Sequence, residues 1–230
     1  LFRDLARART AMALVRGDPG STRPLLARIH SGCVTSESLG ACDCDCAEQL
    51  EQSLAAMARA DHGVLFYLLQ EGRGAGLSAK ARDRMIVQAS GHRRTTFEAF
   101  AEMGLPADLR SYEEIVPMAR WLGVRGPLRL LTNNPAKAEA VADALRDEKI
   151  EIVGSEPIQG SDSPFNTDYL AAKERSGHVL DRAGHRIGAS VPDCFEIEPP
   201  TAALNAPHLI SMARYLLPVA FAERSGGPDG

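Results

Sequence analysis

The sequence predicts an α/β fold, a mixed sheet flanked by helices, and three observations carry that expectation. Short apolar runs bounded by glycine and proline read as strands. Between them lie stretches whose apolar residues recur at helical spacing. The two kinds alternate along the chain, and no internal repeat interrupts them.

In order, residues 11–15 and 24–29 read as strands around the turn Gly17-Asp-Pro-Gly20. Leu50, Leu54 and Met57 fall on one helical face, so residues 48–60 are expected to be a helix. Residues 63–69 are continuously apolar, as in a buried strand. That run ends in Gln70-Glu-Gly-Arg-Gly-Ala-Gly76, a glycine-rich turn opening a basic helix. Helices are expected at 96–103 and 112–122, with Pro117 breaking or kinking the second. Residues 128–131 read as a strand and Asn133-Asn-Pro135 as a turn. A helix over 135–146 then begins with proline in its first turn, and residues 150–153 form the next strand. The pattern weakens towards Pro199-Pro200, which we take as a boundary before an amphipathic helix at 206–217 and a glycine-rich tail expected to be disordered.

A chain of 230 residues suits one large domain, or one domain with a modest extension. Its 44% hydrophobic and 24% charged residues are ordinary for a globular protein, and a net charge of −4 argues against a nucleic-acid binder. No apolar run approaches the roughly 20 residues of a membrane span. The first residues mix charge with alanine rather than forming a signal peptide, and Leu1 in place of an initiator methionine leads us to expect residues before it. Cysteines without a secretory signal fit a reducing cytoplasm.

Three of the five cysteines crowd into residues 42–46, and Cys33 lies eleven residues before Cys44. Cys44 and Cys46 are too close for an easy disulfide but well spaced to grip one ion. With Cys33 as third ligand, a tetrahedral zinc keeps one open position, as catalytic sites do. Cys42 as a fourth ligand would close the site and make it structural. Free thiols in a loop are the plain alternative.

The glycine-rich turn has the spacing of neither a P-loop nor a dinucleotide fingerprint. From Glu71 to Arg94, six Lys and Arg against two acids give +4 (6 − 2), against −4 for the chain. Close backbone approach followed by a basic helix suits a polyphosphate, although such a run also serves as a solvated face. Two further clusters are Asp108-Leu-Arg110-Ser-Tyr112 and Leu131-Thr-Asn-Asn-Pro-Ala-Lys137. Alone, the first reads as a polar helix start capped by Asp108 and the second as a strand-to-helix turn.

Together and in this order, the four clusters resemble the GTP cyclohydrolase II family of riboflavin synthesis, from about residue 13 to about 180. Arg28–Cys33 and Cys44–Leu50 resemble the family's Arg-Val-His-Ser-Glu-Cys and Cys-Asp-Cys-Gly-x-Gln-Leu, with the spacing kept. Gln70–Gly76, Asp108–Tyr112 and Leu130–Lys137 match its Gln-Glu-Gly-Arg-Gly-x-Gly, Asp-x-Arg-x-Tyr and Leu-Leu-Thr-Asn-Asn-Pro-x-Lys. The resemblance implies a catalytic domain over 1–199, with the C-terminal helix and tail over 200–230. It implies that Cys33, Cys44 and Cys46 hold Zn²⁺ while Cys42 is surplus. Arg28, His30, Ser31, Gln49, Glu71, Gly72 and Arg73 would contact the nucleotide, with Thr96, Thr132 and Lys137 around its base and phosphates. Asp108 would be the general base, and Arg110 would act at the α-phosphate. Zinc would activate water to attack C8 of GTP and release formate, and Mg²⁺ would accompany the triphosphate as pyrophosphate leaves. A cytoplasmic homodimer is also implied.

The chain departs from the pattern near the base. Gly32 replaces Glu, Asp43 replaces Arg, Ala47 replaces Gly and Phe100 replaces Asn, while Asn-Lys-Ile-Arg-Ala-Tyr has become Ala79-Lys-Ala-Arg-Asp-Arg84. Such changes fit a paralogue acting on another nucleotide or stopping at another product. A zinc-stabilised nucleotide-binding protein without turnover is the alternative of a different class.

Overall fold

The computed structural model describes residues 1–4 and 9–180. One mixed sheet holds β1 (Phe2–Asp4), β2 (Arg9–Arg16), β3 (Leu25–Ser31), β4 (Gly63–Leu68), β5 (Leu128–Leu131) and β6 (Ile152–Glu156), in the order β1-β2-β4-β3-β5-β6. β1, β2 and β4 pair antiparallel, whereas β4, β3, β5 and β6 run parallel. The helices among the described residues are α1 (Val34–Glu37), α2 (Cys46–Arg59), α3 (Leu77–Ala89), α4 (Thr96–Glu102), α5 (Ile115–Leu122), α6 (Pro135–Leu145) and α7 (Thr167–Arg175). This is the expected α/β class.

The period of two along β3 decides which side of the sheet is core and which feeds the site. Leu25, Ala27 and Ile29 join Val64, Phe66 and Leu68 of β4 against Ile115, Met118 and Ala119 of α5 and Val141 and Leu145 of α6. Phe66 is wholly buried there, and Phe66→Ala would cost about 3–5 kcal/mol. On the opposite face Leu26 and Leu65 pack with Met57 of α2. Arg28 and His30 follow Leu26 on that face, which is how a buried strand delivers polar groups towards the cysteine loop.

β3 stays paired with β4 as far as Ser31 and Leu68, but its ladder with β5 ends at Ala27 and Leu130. Two buried cations take over beyond that point. Arg28 donates to the Leu131 carbonyl at 2.8 Å, and Lys137 donates to the Ile29 carbonyl at 2.5 Å. The carbonyls freed by the split ladder are thereby satisfied.

Several boundaries shift from the sequence expectation, the helix expected at 112–122 starts only at Ile115, and β1 was not expected. α2 begins at Cys46, two residues early, because a thiol-rich stretch carries no helix signal of its own. Pro117 neither breaks nor kinks a helix; it is the third residue of α5, where its missing N–H would have had no intrahelical partner. The last strand runs Ile152–Glu156 rather than 150–153, and Ile150 is a core residue before it. The helix expected at 206–217 and the tail lie outside the described residues.

Candidate active site

β3 ends at Ser31, and the chain turns through Gly32 into Cys33, which caps the short α1. The Sγ atoms of Cys33, Cys44 and Cys46 all lie within 4.8 Å of one another, those of Cys33 and Cys44 at 3.8 Å. Tetrahedral zinc with Zn–S bonds of about 2.3 Å needs sulfurs roughly 3.8 Å apart, so the three thiols fit that ion. Cys42 is outside this group. Cys46 is the first residue of α2, and its bonds with Cys33 and Cys44, together with burial, push its thiol well above its ordinary value. Hydrogen bonds from Cys44 and Cys46, and then the Lys80 ammonium, push the Cys33 thiol far below its ordinary value. The bond with Cys33 pushes Cys44 up to about 11. Lys80 Nζ lies 2.8 Å from Cys33 Sγ and 2.8 Å from Glu71 Oε1, so one cation joins the thiols to the glycine-rich turn.

Two carboxylates hold the cysteine loop in place. Glu71 Oε2 accepts from the Val34 N–H at 2.6 Å. Glu37 Oε1 accepts from the Cys33 N–H at 2.8 Å and meets His30 Nε2 at 2.8 Å, while its other oxygen accepts from the Tyr67 hydroxyl at 2.5 Å. Burial lowers the pKa of His30, although Glu37 works against the shift. Glu37 went unnoticed in the sequence because an isolated Glu in a polar loop carries no signal.

The glycine-rich turn is a single 3₁₀ turn over Gly72–Gly74, entered with Arg73 in the left-handed region at φ 54°. Gly74 has φ 85°, and a Cβ there would stand 2.8 Å from the backbone carbonyl of Leu109. The Leu109 N–H closes the contact by donating to the Arg73 carbonyl at 2.9 Å. Backbone laid on backbone in this way sets Arg73 beside the Asp108–Arg110 segment. Arg110 Nε donates to Asp108 Oδ1 at 2.9 Å, and Nη2 donates to Oδ2 at 2.5 Å. Burial raises the Asp108 carboxyl, but the bonds and charge of Arg110 outweigh it and hold the group below its ordinary value. Asp108 caps no helix, since α5 starts only at Ile115.

One cleft gathers much of the expected site: Ser31, the three cysteines, Glu71, Gly72, Arg73, Thr96 and Arg110. Asp108 adjoins it through Arg110. Arg28, His30, Gln49, Thr132 and Lys137 do not line it and are buried. Gln49 accepts from Arg28 and donates to Asp45, each at 2.8 Å, and the Asp45 carboxylate also takes Lys173 of α7. Gly32, Arg84 and Phe100, expected near the base, line it too, and Gln70, Lys80, Asp83 and Tyr169 complete it without having been expected there as site residues. Ser31 Oγ, Gln70 Oε1 and Asp83 Oδ1 are buried and lack hydrogen-bond partners in the structure, an arrangement that suits a polar ligand.

The family model for GTP cyclohydrolase II matches residues 1–157. The chain belongs to the GTP cyclohydrolase II family. It is 40% identical over 187 residues to GTP cyclohydrolase-2 of Pseudomonas putida (strain W619), covering 81% of this chain and 84% of that protein. With GTP cyclohydrolase-2 of Hahella chejuensis it is 38% identical over 180 residues, 78% of this chain and 83% of the relative. The Shewanella oneidensis protein of the same name is 37% identical over 180 residues, 78% and 85% of the two chains. The chain is thus a hydrolase of the GTP cyclohydrolase II type. Among the described residues no helix is long and apolar enough to cross a membrane.

The departures from the family pattern gather around this cleft. At Gly32, where the pattern has Glu, a Cβ would come within 2.8 Å of the Tyr67 hydroxyl. Asp43 and Arg84, which replace Arg and Tyr, are ion-paired at 2.9 Å. The Arg84 guanidinium lies 5.8 Å from the centre of the Tyr169 ring. Phe100, in place of Asn, is a buried part of the cleft wall. Ala47 keeps only its backbone role, donating to Ser36 Oγ at 3.2 Å.

Proposed function

We propose that the chain is a zinc-dependent GTP cyclohydrolase, which opens the imidazole ring of GTP and releases formate and pyrophosphate. The product would be a diaminopyrimidine ribosylamine phosphate. The observation that carries this reading is the convergence of three thiols with Arg73 and Arg110 on one cleft. Cys33, Cys44 and Cys46 would hold zinc, which when bound would supply Lewis-acid chemistry for the attack of water at C8. Arg73 and Arg110 neutralise the phosphates, with Mg²⁺ accompanying them. While Arg110 is clamped to Asp108, the carboxylate is a poor base. A phosphate that draws the guanidinium away frees Asp108 to take a proton. Lys80 keeps Glu71 and the Cys33 loop in register. Arg28, His30 and Gln49 support the loop from behind, and Thr132 and Lys137 brace the β5 side. We also take the enzyme to be a cytoplasmic homodimer.

A second reading, another base or an earlier product, is favoured by the Asp43–Arg84 pair and by Phe100 in the cleft wall. One experiment separates the readings: incubation with GTP, zinc and magnesium, followed by formate measurement and mass spectrometry of the pyrimidine product. Formate plus the diaminopyrimidine supports the first reading. A ring-opened product that keeps its formyl group supports the second. Bound zinc and nucleotide without product means a binding protein. Elemental analysis of the same samples should give one zinc per chain, kept by Cys42→Ser and lost by Cys44→Ser. Loss in both variants would mean a four-thiolate structural site.

A further inference from the structure

Asp83 is the one carboxylate of the cleft wall that no cation clamps. It lies in α3, is only 3% exposed and lines the cleft, and its Oδ1 has no hydrogen-bond partner. Its charged neighbours are Arg84, Arg73 and Asp43, with the Thr96 side chain as a hydrogen-bond partner. None of the cations is within ion-pair distance of Asp83. Arg84 is committed to Asp43, and Arg73 stacks over Phe97 at 4.1 Å. The resemblance places alanine at this position, in the stretch that reads Ala79–Arg84 here. A carboxylate buried without a full set of partners is costly in a folded chain, and a ligand's N–H groups would offset that cost.

The neighbours indicate what kind of ligand brings those groups. Phe100 and Tyr169, also in the wall, offer flat apolar surface to a planar ring. Arg84, the next residue, donates and never accepts, so it complements a ring oxygen. Acceptor beside donor is the complement of a 2-amino-6-oxopurine edge, which carries two N–H donors next to one carbonyl. We propose that Asp83 reads the base, accepting from its N1–H and 2-amino group while Arg84 donates to the 6-oxo group. This assignment rests on the nucleotide reading above and adds a specificity-determining residue to it.

The test is equilibrium binding and turnover of GTP, ITP and XTP by the zinc-loaded parent and by Asp83→Ala and Asp83→Asn. ITP lacks the 2-amino group, and XTP replaces it with a carbonyl. The parent should prefer GTP to ITP by roughly 10- to 100-fold, the weight of one hydrogen bond to a charged group. Asp83→Ala should bring that ratio close to one. Asp83→Asn keeps the shape but presents an amide N–H to position 2, so XTP should overtake GTP. Variants that melt like the parent yet keep its ratios would overturn the assignment. A parent that binds GTP and ITP alike overturns it whether or not the variants fold. A parent that binds none of the three overturns the nucleotide reading itself, and the Asp83 assignment with it.

Discussion

Asp43 and Arg84 form a reciprocal replacement: the acid stands where the family pattern has arginine, the cation where it has tyrosine, and the two meet at 2.9 Å. Either change alone would fail electrostatically. Asp43 beside tyrosine would be an unpaired acid next to the Cys44 thiol, and Arg84 beside arginine would face a like charge. Arg84→Tyr by itself should therefore lower activity, because it leaves Asp43 without its ion-pair partner. Asp43→Arg with Arg84→Tyr should recover it. Because both side chains are partly exposed, the coupling in a double-mutant cycle should be about 0.5–1 kcal/mol. Equal effects of Arg84→Tyr in both backgrounds would show the residues to be independent.

Arg73 and Lys137 are two cations of the family pattern with separable roles in this chain. Arg73 lines the cleft, whereas Lys137 is 9% exposed and spends its ammonium on the Ile29 carbonyl. Arg73→Ala should weaken triphosphate binding roughly tenfold, and less in high salt, while leaving the melting temperature within a degree or two. Lys137→Ala should lower the melting temperature by several degrees, because it leaves a carbonyl unsatisfied. Calorimetry and nucleotide titration on the two variants should give these opposite profiles.

Gly74 combines a left-handed φ of 85° with a 2.8 Å approach to the Leu109 backbone, so no side chain fits. Gly74→Ala should cost about 1–3 kcal/mol and push the Asp108–Arg110 segment outwards. The expected signature is a fall in kcat of tenfold or more that exceeds the loss in binding. A variant with parental kcat would show that this contact does not place the pair.

His178 gives a pH dependence of known sign. Burial, and then the charges of Lys173 and Arg110, lower its pKa to about 4 from an ordinary 6.5, and Nδ1 sits 3.1 Å from both the Lys173 carbonyl and Ser176 Oγ. The unfolded chain takes up the proton that the folded one resists, so this contribution is complete above pH 6.5 and is lost as pH falls towards 4. His178→Gln should melt less steeply with falling pH across that window. Parallel melting curves for parent and variant would disprove the assignment.

The sequence disclosed what depends on local pattern. Strand 63–68 was readable from an unbroken apolar run and 128–131 from three leucines around Arg129, and the grouping of the cysteine triad from its spacing. It hid what depends on the meeting of distant segments. Glu37 and Tyr67 are thirty residues apart, and Asp45 reaches Lys173 across most of the domain. Lys80 looked like part of a solvated basic face, yet it is buried between Cys33 and Glu71 because α3 turns that face towards the thiols. Asp83 was counted only as a charge against its basic neighbours, and nothing in the helix pattern marks its burial.

The split between β3 and β5 has a bearing on how the molecule opens. Past Ala27 no ladder joins these strands, and the two side-chain bonds from Arg28 and Lys137 span the gap instead. Amide exchange at the ends of these strands should then follow local openings governed by two side chains, not the global unfolding of the core beneath. The floor of the cleft can breathe while the sheet stays intact. Protection factors at Ile29 and Leu131 would fall in Lys137→Ala long before those at Val64 or Phe66.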